Sequence, residues 1–268
     1  MSAVHEHLPG TGLSFEKMPG HWLLAQLGKR VLRPGGIGLT RQMLSALNIT
    51  PQDRVVELAP GLGITAQIAL SHAPSSYTAV EMDQAAAQQV AHYLTGENQR
   101  CVVGRAEKTG LPDASSTVIY GEAMLTMQTP NNKAKIIAEA HRVLASKGRY
   151  GIHEMCLVPD DLSETIKEDI SQALSNAIHV GARPLTIKEW KTLLEQDGFV
   201  VTAEATVPMH LLEPMRLLQD EGLAGTARIV GNILRNPAAR QRVLAMRQVF
   251  RRYEKNMAAL MLVVEKKP

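Results

Sequence analysis

Four residues in the first third of the chain have the types and spacing of a nucleotide site. The segment VVELAPGLGITA, Val55–Ala66, takes an apolar strand into a turn holding Gly61 and Gly63 and out into helix-forming residues. Such a turn aims backbone N–H groups at a ligand, and glycine lets the ligand come close to the main chain. Glu57 stands just before the turn, and Glu81 follows 18 residues after Gly63. A carboxylate at that interval can accept from both hydroxyls of a ribose. The chemistry on offer is the capture of an adenosine-bearing cofactor by one loop and one carboxylate.

To bring these groups together, the turn and Glu81 must lie at the ends of neighbouring strands. The hydrophobic pattern supplies such strands at Asp53–Ala59, Ser76–Asp83, Arg100–Glu107, Ser116–Met124 and Gly148–Val158, with helical segments between them, including Asn132–Leu144. Alternating strands and helices predict a parallel sheet covered on both faces, with ligands beyond the carboxyl ends of the strands. Upstream, His21–Leu32 has apolar residues at helical spacing until Arg33–Gly36 stops it, and Leu39–Ile49 forms a second short helix. Downstream, helices follow the fifth strand, a sixth strand is expected at Phe199–Pro208, a helical stretch at Leu211–Lys255 and a last strand at Met257–Lys267. Asn236 and Pro237 mark a helix start inside that stretch.

The glycines and Glu81 suit two cofactors equally. Gly61–Ala66 fits the dinucleotide pattern G-x-G-x-x-A, and both NAD and S-adenosylmethionine carry the ribose that Glu81 would hold. Glu57 separates them, because a pyrophosphate repels a carboxylate at the mouth of its loop whereas the ammonium and sulfonium of a methionyl group attract one. Three further segments agree: Val102–Leu125 with its Leu-Pro turn before the fourth strand, His141–Glu154 with its Lys-Gly turn, and the late strand pair. At these residues the chain resembles the class I S-adenosylmethionine-dependent methyltransferases, most of all the small-molecule branch that includes quinone-biosynthesis C-methyltransferases. The resemblance covers about residues 53–199 and the last strand. It implies a Rossmann-like, seven-stranded, mostly parallel α/β sheet with an antiparallel last strand. It also implies S-adenosylmethionine as cofactor, with Glu57, Ala59, Gly61, Gly63, Glu81, Met82, Ala106, Glu107 and Glu122 around it. Two positions depart from the family pattern: Ala59 stands where a glycine is usual, and Arg105 where an acidic residue normally accepts from the adenine amino group. Arginine has no acceptor to offer.

Glu122, after the fourth strand, and His153, on the fifth, are the candidate bases for an acceptor that needs deprotonation. Strand alternation turns only one of His153 and Glu154 toward the pocket. The arginines between Leu211 and Lys255 read either as a solvated helix face or as a guanidinium patch for an anionic group on the substrate. The organisation expected is a helical lid at residues 1–50 and a methyltransferase domain at 51–268, with helical insertions near 159–195 and 211–255 closing over a small, largely apolar acceptor.

The bulk properties narrow the classes. A formal net charge of +3 and 4% aromatic residues argue against nucleic acid as the partner. No apolar run reaches the roughly 20 residues of a membrane span. Cys101 and Cys156 have no neighbours at metal-ligand spacing and form no disulfide framework, so no metal site and a cytoplasmic location are expected. A homodimer is compatible with this composition. A regulatory protein that binds the cofactor without turnover, and an NAD-dependent oxidoreductase, are the competing functions.

Overall fold

The computed structural model describes residues 8–267. Its centre is a sheet in the order β3-β2-β1-β4-β5-β8-β7. Strands β1 (Arg54–Leu58), β2 (Ser76–Glu81), β3 (Gln99–Val103), β4 (Ser116–Glu122) and β5 (Leu144–Leu157) pair in parallel. The last strand, β8 (Met257–Lys266), lies between β5 and β7 (Phe199–Pro208) and is antiparallel to both. Its first eight residues, MAALMLVV, are all buried, as an uninterrupted apolar run must be when neighbours pair on both edges and helices cover both faces. An eighth strand has no counterpart in the pattern reading. β6, only Leu185–Thr186, pairs with the end of β5 at Cys156–Leu157.

Helices α2 (Gly36–Leu47), α3 (Ile64–Leu70) and α4 (Gln84–Ala91) cover one face. There Leu39, Met43, Leu44 and Leu47 pack with Val55, Tyr77 and Val118. α5 (Pro130–Val143) and α7 (Ile187–Gln196) cover the other, bringing Ile136, Ile137, Trp190 and Leu194 against Val56, Leu58 and Ile152. Both begin as their sequences dictate. Thr129 caps α5 with Pro130 in its first turn, and Thr186 with Glu189 closes a capping box on α7.

A third core forms above the carboxyl ends of the strands. It joins α1 (Gly20–Gln26), α6 (Glu164–Ile178), α8 (Pro214–Arg235) and α9 (Pro237–Arg252) through Leu23, Leu24, Ile170, Leu174, Met246 and Phe250. The helical stretch expected from 211 to 255 is thus two helices, parted at the Asn236 cap and bent again at Gly222 (φ 71°, ψ 177°). α1 is shorter than its apolar pattern, because Gly28 turns the chain at φ 99°. α2 packs one face into the sheet core and α1 joins the cap core, while residues 1–7 of the expected lid lie outside the described residues.

Candidate active site

A cavity of about 570 Å³ opens where the sheet order reverses, beyond β1 and β4. This is where ligands bind in open α/β sheets, and the volume falls in the usual range for small-molecule sites. Its floor includes Ala59, Gly61, Thr65 and Glu81, and its roof carries Trp22, Leu174, Met246 and Phe250.

The turn after β1 is built for close approach. Gly61 has φ 58°, and a Cβ placed there would meet no protein atom within 4 Å, so the space over its backbone is free for a ligand. Gly63 has φ 73°, and its missing side chain makes room for Tyr93, whose ring carbon lies 2.8 Å from the Cβ position. Ala59 sits at φ 52°, left-handed backbone in which a non-glycine residue pays roughly 1–2 kcal/mol. Ala123, after β4, repeats this at φ 52°. Both strained residues border the cavity, where such strain tends to gather.

Glu81 closes the turn from the end of β2. Its carboxylate accepts from the Gly61 N–H at 3.0 Å and the Asp83 N–H at 2.9 Å. Burial raises its proton affinity, against the pull of those N–H groups. A carboxylate has about four lone-pair sites, so two remain for hydroxyls. Met82 beside it is 68% exposed at the cavity mouth. Ala106 and Glu107 line the opposite edge, where Arg105, itself exposed, forms an ion pair with Glu107. Burial pushes the Glu107 carboxyl up, but Arg105 outweighs it and the net shift is downward.

Glu57 is buried beneath the turn and borders the cavity. Tyr120, its partner across β4, donates to it at 2.8 Å, and Tyr77 on β2 donates to the same oxygen. Burial lifts the carboxyl to about 7, the two hydroxyls only partly offsetting it. With a folded pKa above the unfolded one, the native state holds the extra proton. Stability from this group is present at low pH and is lost as pH rises toward 7. Glu57→Gln should therefore gain on the wild type by about 2 kcal/mol between about pH 5 and about pH 7 in urea titrations. Parallel stability curves would show that Glu57 does not titrate in this window.

The two candidate bases form a buried pair. Glu122 and His153 stand opposite each other on β4 and β5, and both are engaged. Glu122 accepts from Thr40 at 2.6 Å and from Thr65, and its Oε2 lies 3.4 Å from Arg33 Nε. Burial would raise its pKa, but the Arg33 guanidinium, with His153 and Thr40, holds it down at about 2. His153 is fully buried and lies 2.7 Å from Glu122 and 2.6 Å from the Pro34 carbonyl. Both ring nitrogens are therefore engaged by the fold itself. The pair braces β4 against β5, with Glu122 bordering the cavity and His153 behind it.

Arg33 and His21 carry no sequence signal for the cavity, and Glu154 is the one of the His153–Glu154 pair that borders it. Arg33, in the loop after α1, is 8% exposed, and its Nη2 is buried without a protein partner. Glu154, on the face of β5 opposite His153, accepts from the N–H groups of Met124, Leu125 and Thr126 at 2.7–3.1 Å and from the Thr126 hydroxyl at 2.7 Å. It therefore fixes the loop after β4. His21 faces the cavity from α1 and packs against Trp22 at 4.5 Å between ring centroids. Burial lowers its pKa to about 4.

The sheet order and the cofactor-sized cavity over a glycine turn define a class I methyltransferase fold, and comparison with known proteins agrees. The family profile of the methyltransferase domain matches residues 56–152. Residues 56–152 thus belong to the methyltransferase domain family, and the chain has the fold of the class I S-adenosylmethionine-dependent methyltransferases. An uncharacterized protein of Haemophilus influenzae is 33% identical over 220 residues, 81% of this chain and 86% of its own. Among solved structures, Haemonchus contortus phosphoethanolamine N-methyltransferase 2, in complex with S-adenosyl-L-methionine, superposes with a TM-score of 0.70 at 14% identity. It covers 93% of this chain and 57% of its own. The cyclopropane synthase MmaA2 of Mycobacterium tuberculosis gives 0.65 at 15% identity over 86% and 84%. Among the described residues no helix is long and apolar enough to cross a membrane.

Proposed function

We propose that this protein transfers a methyl group from S-adenosylmethionine to a small, largely apolar metabolite. The observation that carries the reading is the cavity itself, whose floor is the glycine turn with Glu81 and whose roof is apolar. When bound, the cofactor supplies an electrophilic methyl group on a sulfonium. Glu81 would hold the ribose hydroxyls, and Met82 and Ala106 would lie against the adenine edges. Arg33 is suited to the methionyl carboxylate, because its Nη2 is a buried donor awaiting an acceptor. A donor left unpaired in a buried site costs about 1–3 kcal/mol, which an anion would recover. Thr40 and Glu122 keep the guanidinium pointed there. Glu57 contributes as a proton-sharing carboxyl beneath the turn rather than as a direct counter-charge.

Glu122 is ionised above about pH 2 and His21 takes a proton only near 4, so we read neither as the base for the acceptor. The protein's contribution is to position the acceptor and exclude water, and the acceptor must be nucleophilic without help. Glu122→Gln should accordingly raise the cofactor KM while leaving the pH profile of kcat unchanged over about pH 6 to 9. Loss of a basic limb from that profile would restore Glu122 as base. Arg105→Asp should leave S-adenosylhomocysteine affinity unchanged or tighter, since Arg105 is an exposed partner of Glu107. A loss beyond about tenfold would assign the arginine its own contact.

The acceptor in this reading fits the quinone-biosynthesis branch, and two unpaired cysteines fit the cytoplasm. The test is incubation with labelled methyl donor and a metabolite extract. Label is expected in a product that partitions into organic solvent. S-adenosylhomocysteine, and not NAD, should raise the melting temperature. Label confined to water-soluble products would sink the apolar acceptor, and stabilisation by NAD alone would sink the cofactor.

A further inference from the structure

The α8–α9 hairpin has an outer face that methyl transfer does not explain. From Gly222 to Tyr253 the chain carries seven arginines and no aspartate or glutamate. Three of the seven are occupied. Arg242 donates to the carbonyls of Phe15, Glu16 and Met18, and Arg247 and Arg251 share Glu213. Arg228, Arg235, Arg240 and Arg252 have no acidic partner among the described residues, and all are exposed. Beside them runs an apolar ridge. Leu223, Ala227, Val230 and Leu234 recur at intervals of 4, 3 and 4 residues on the solvent side of α8, the spacing of one helical stripe. Leu223 is 78% exposed and Leu234 62%, and Leu244 adds an exposed leucine on α9. Other sides of both helices are spent on the cap core, through Ile233, Val243, Met246 and Phe250.

We infer that this face docks on an anionic phospholipid surface. An aliphatic ridge bordered by uncompensated arginines is the pattern of a helix lying in a membrane interface, where the leucines enter the acyl boundary and the guanidinium groups meet phosphates. Charge decides against a second copy of the chain, because a two-fold contact through this face would set arginines against arginines. The ridge has no exposed aromatic anchor of the kind that protein interfaces favour. Each basic residue near an anionic surface adds roughly fivefold to binding. The inner side of α9, through Met246 and Phe250, is also a wall of the cavity. Docking would therefore set the cavity beside the bilayer, a source of apolar acceptor. That last step rests on the proposed function, whereas the docking does not.

Vesicle flotation without cofactor or acceptor tests it. The protein should float with phosphatidylcholine vesicles containing phosphatidylglycerol, stay behind with phosphatidylcholine alone, and be released by high salt. The double variant Leu223→Asp/Leu234→Asp should partition at least about tenfold less. Its S-adenosylhomocysteine affinity should be unchanged, which shows that the fold and cofactor site survive. Failure of the wild type to float, equal flotation of the variant, or a dimer that the variant dissolves would overturn the inference. Failure of cofactor binding in the wild type would instead overturn the methyltransferase reading.

Discussion

Replacing Glu81 by alanine is expected to weaken S-adenosylhomocysteine binding about 100-fold. Two hydroxyl donors to a carboxylate contribute at least about 1.5 kcal/mol each, and the sum of about 3 kcal/mol corresponds to two orders of magnitude. The same carboxylate also ties down the Gly61 and Asp83 N–H groups, so its loss loosens the turn that faces the cofactor. Glu81→Gln keeps one acceptor and should fall between. Calorimetry is the measurement, with thermal unfolding to show an intact fold. Affinity within threefold of wild type in Glu81→Ala would remove the ribose assignment.

Glu154→Leu is expected to destabilise the protein by at least about 3 kcal/mol. The substitution is close in size and apolar, so packing is kept. It leaves the N–H groups of Met124, Leu125 and Thr126 buried without acceptors, at about 1–3 kcal/mol each. Against a total stability of about 5–15 kcal/mol, this is a large fraction. Urea unfolding should show the midpoint falling at constant slope. Since Met124 and Thr126 line the cavity, the surviving folded fraction should also bind acceptor poorly. An unchanged midpoint would mean that water replaces the carboxylate and that Glu154 is dispensable.

The strands and the glycine turn could be read from the sequence because they rest on local patterns. Gly61, Gly63 and Glu81 sit where spacing puts them, and the last strand enters the sheet antiparallel as the late strand pair suggested. The side-chain partnerships were not legible, because each joins residues far apart in the chain. Glu57 looked like a charge beside the turn until Tyr77 and Tyr120 appeared on the neighbouring strands. Nothing local announces Thr40, Arg33 or the Pro34 carbonyl as partners of Glu122 and His153. Arg33 itself reads as part of a helix-stopping RPGG turn, and its unpaired nitrogen is a property of the assembled wall. β6 is too short to carry a period.

The position of β8 ties the sheet to the order of synthesis. β5 and β7 each offer an edge that only Met257–Lys266 fills. While the ribosome is still making α8 and α9, the nascent chain holds a five-stranded parallel half whose β5 edge is open and β7 with nothing to pair against. A peptide released before residue 257 therefore leaves β5 and β7 bare to other chains, the usual template for aggregation. A chaperone that shields strand edges would have most to do on this protein until Met257–Lys266 has emerged. A tag appended just after Lys266 would burden a segment that must slide between two strands before the domain exists.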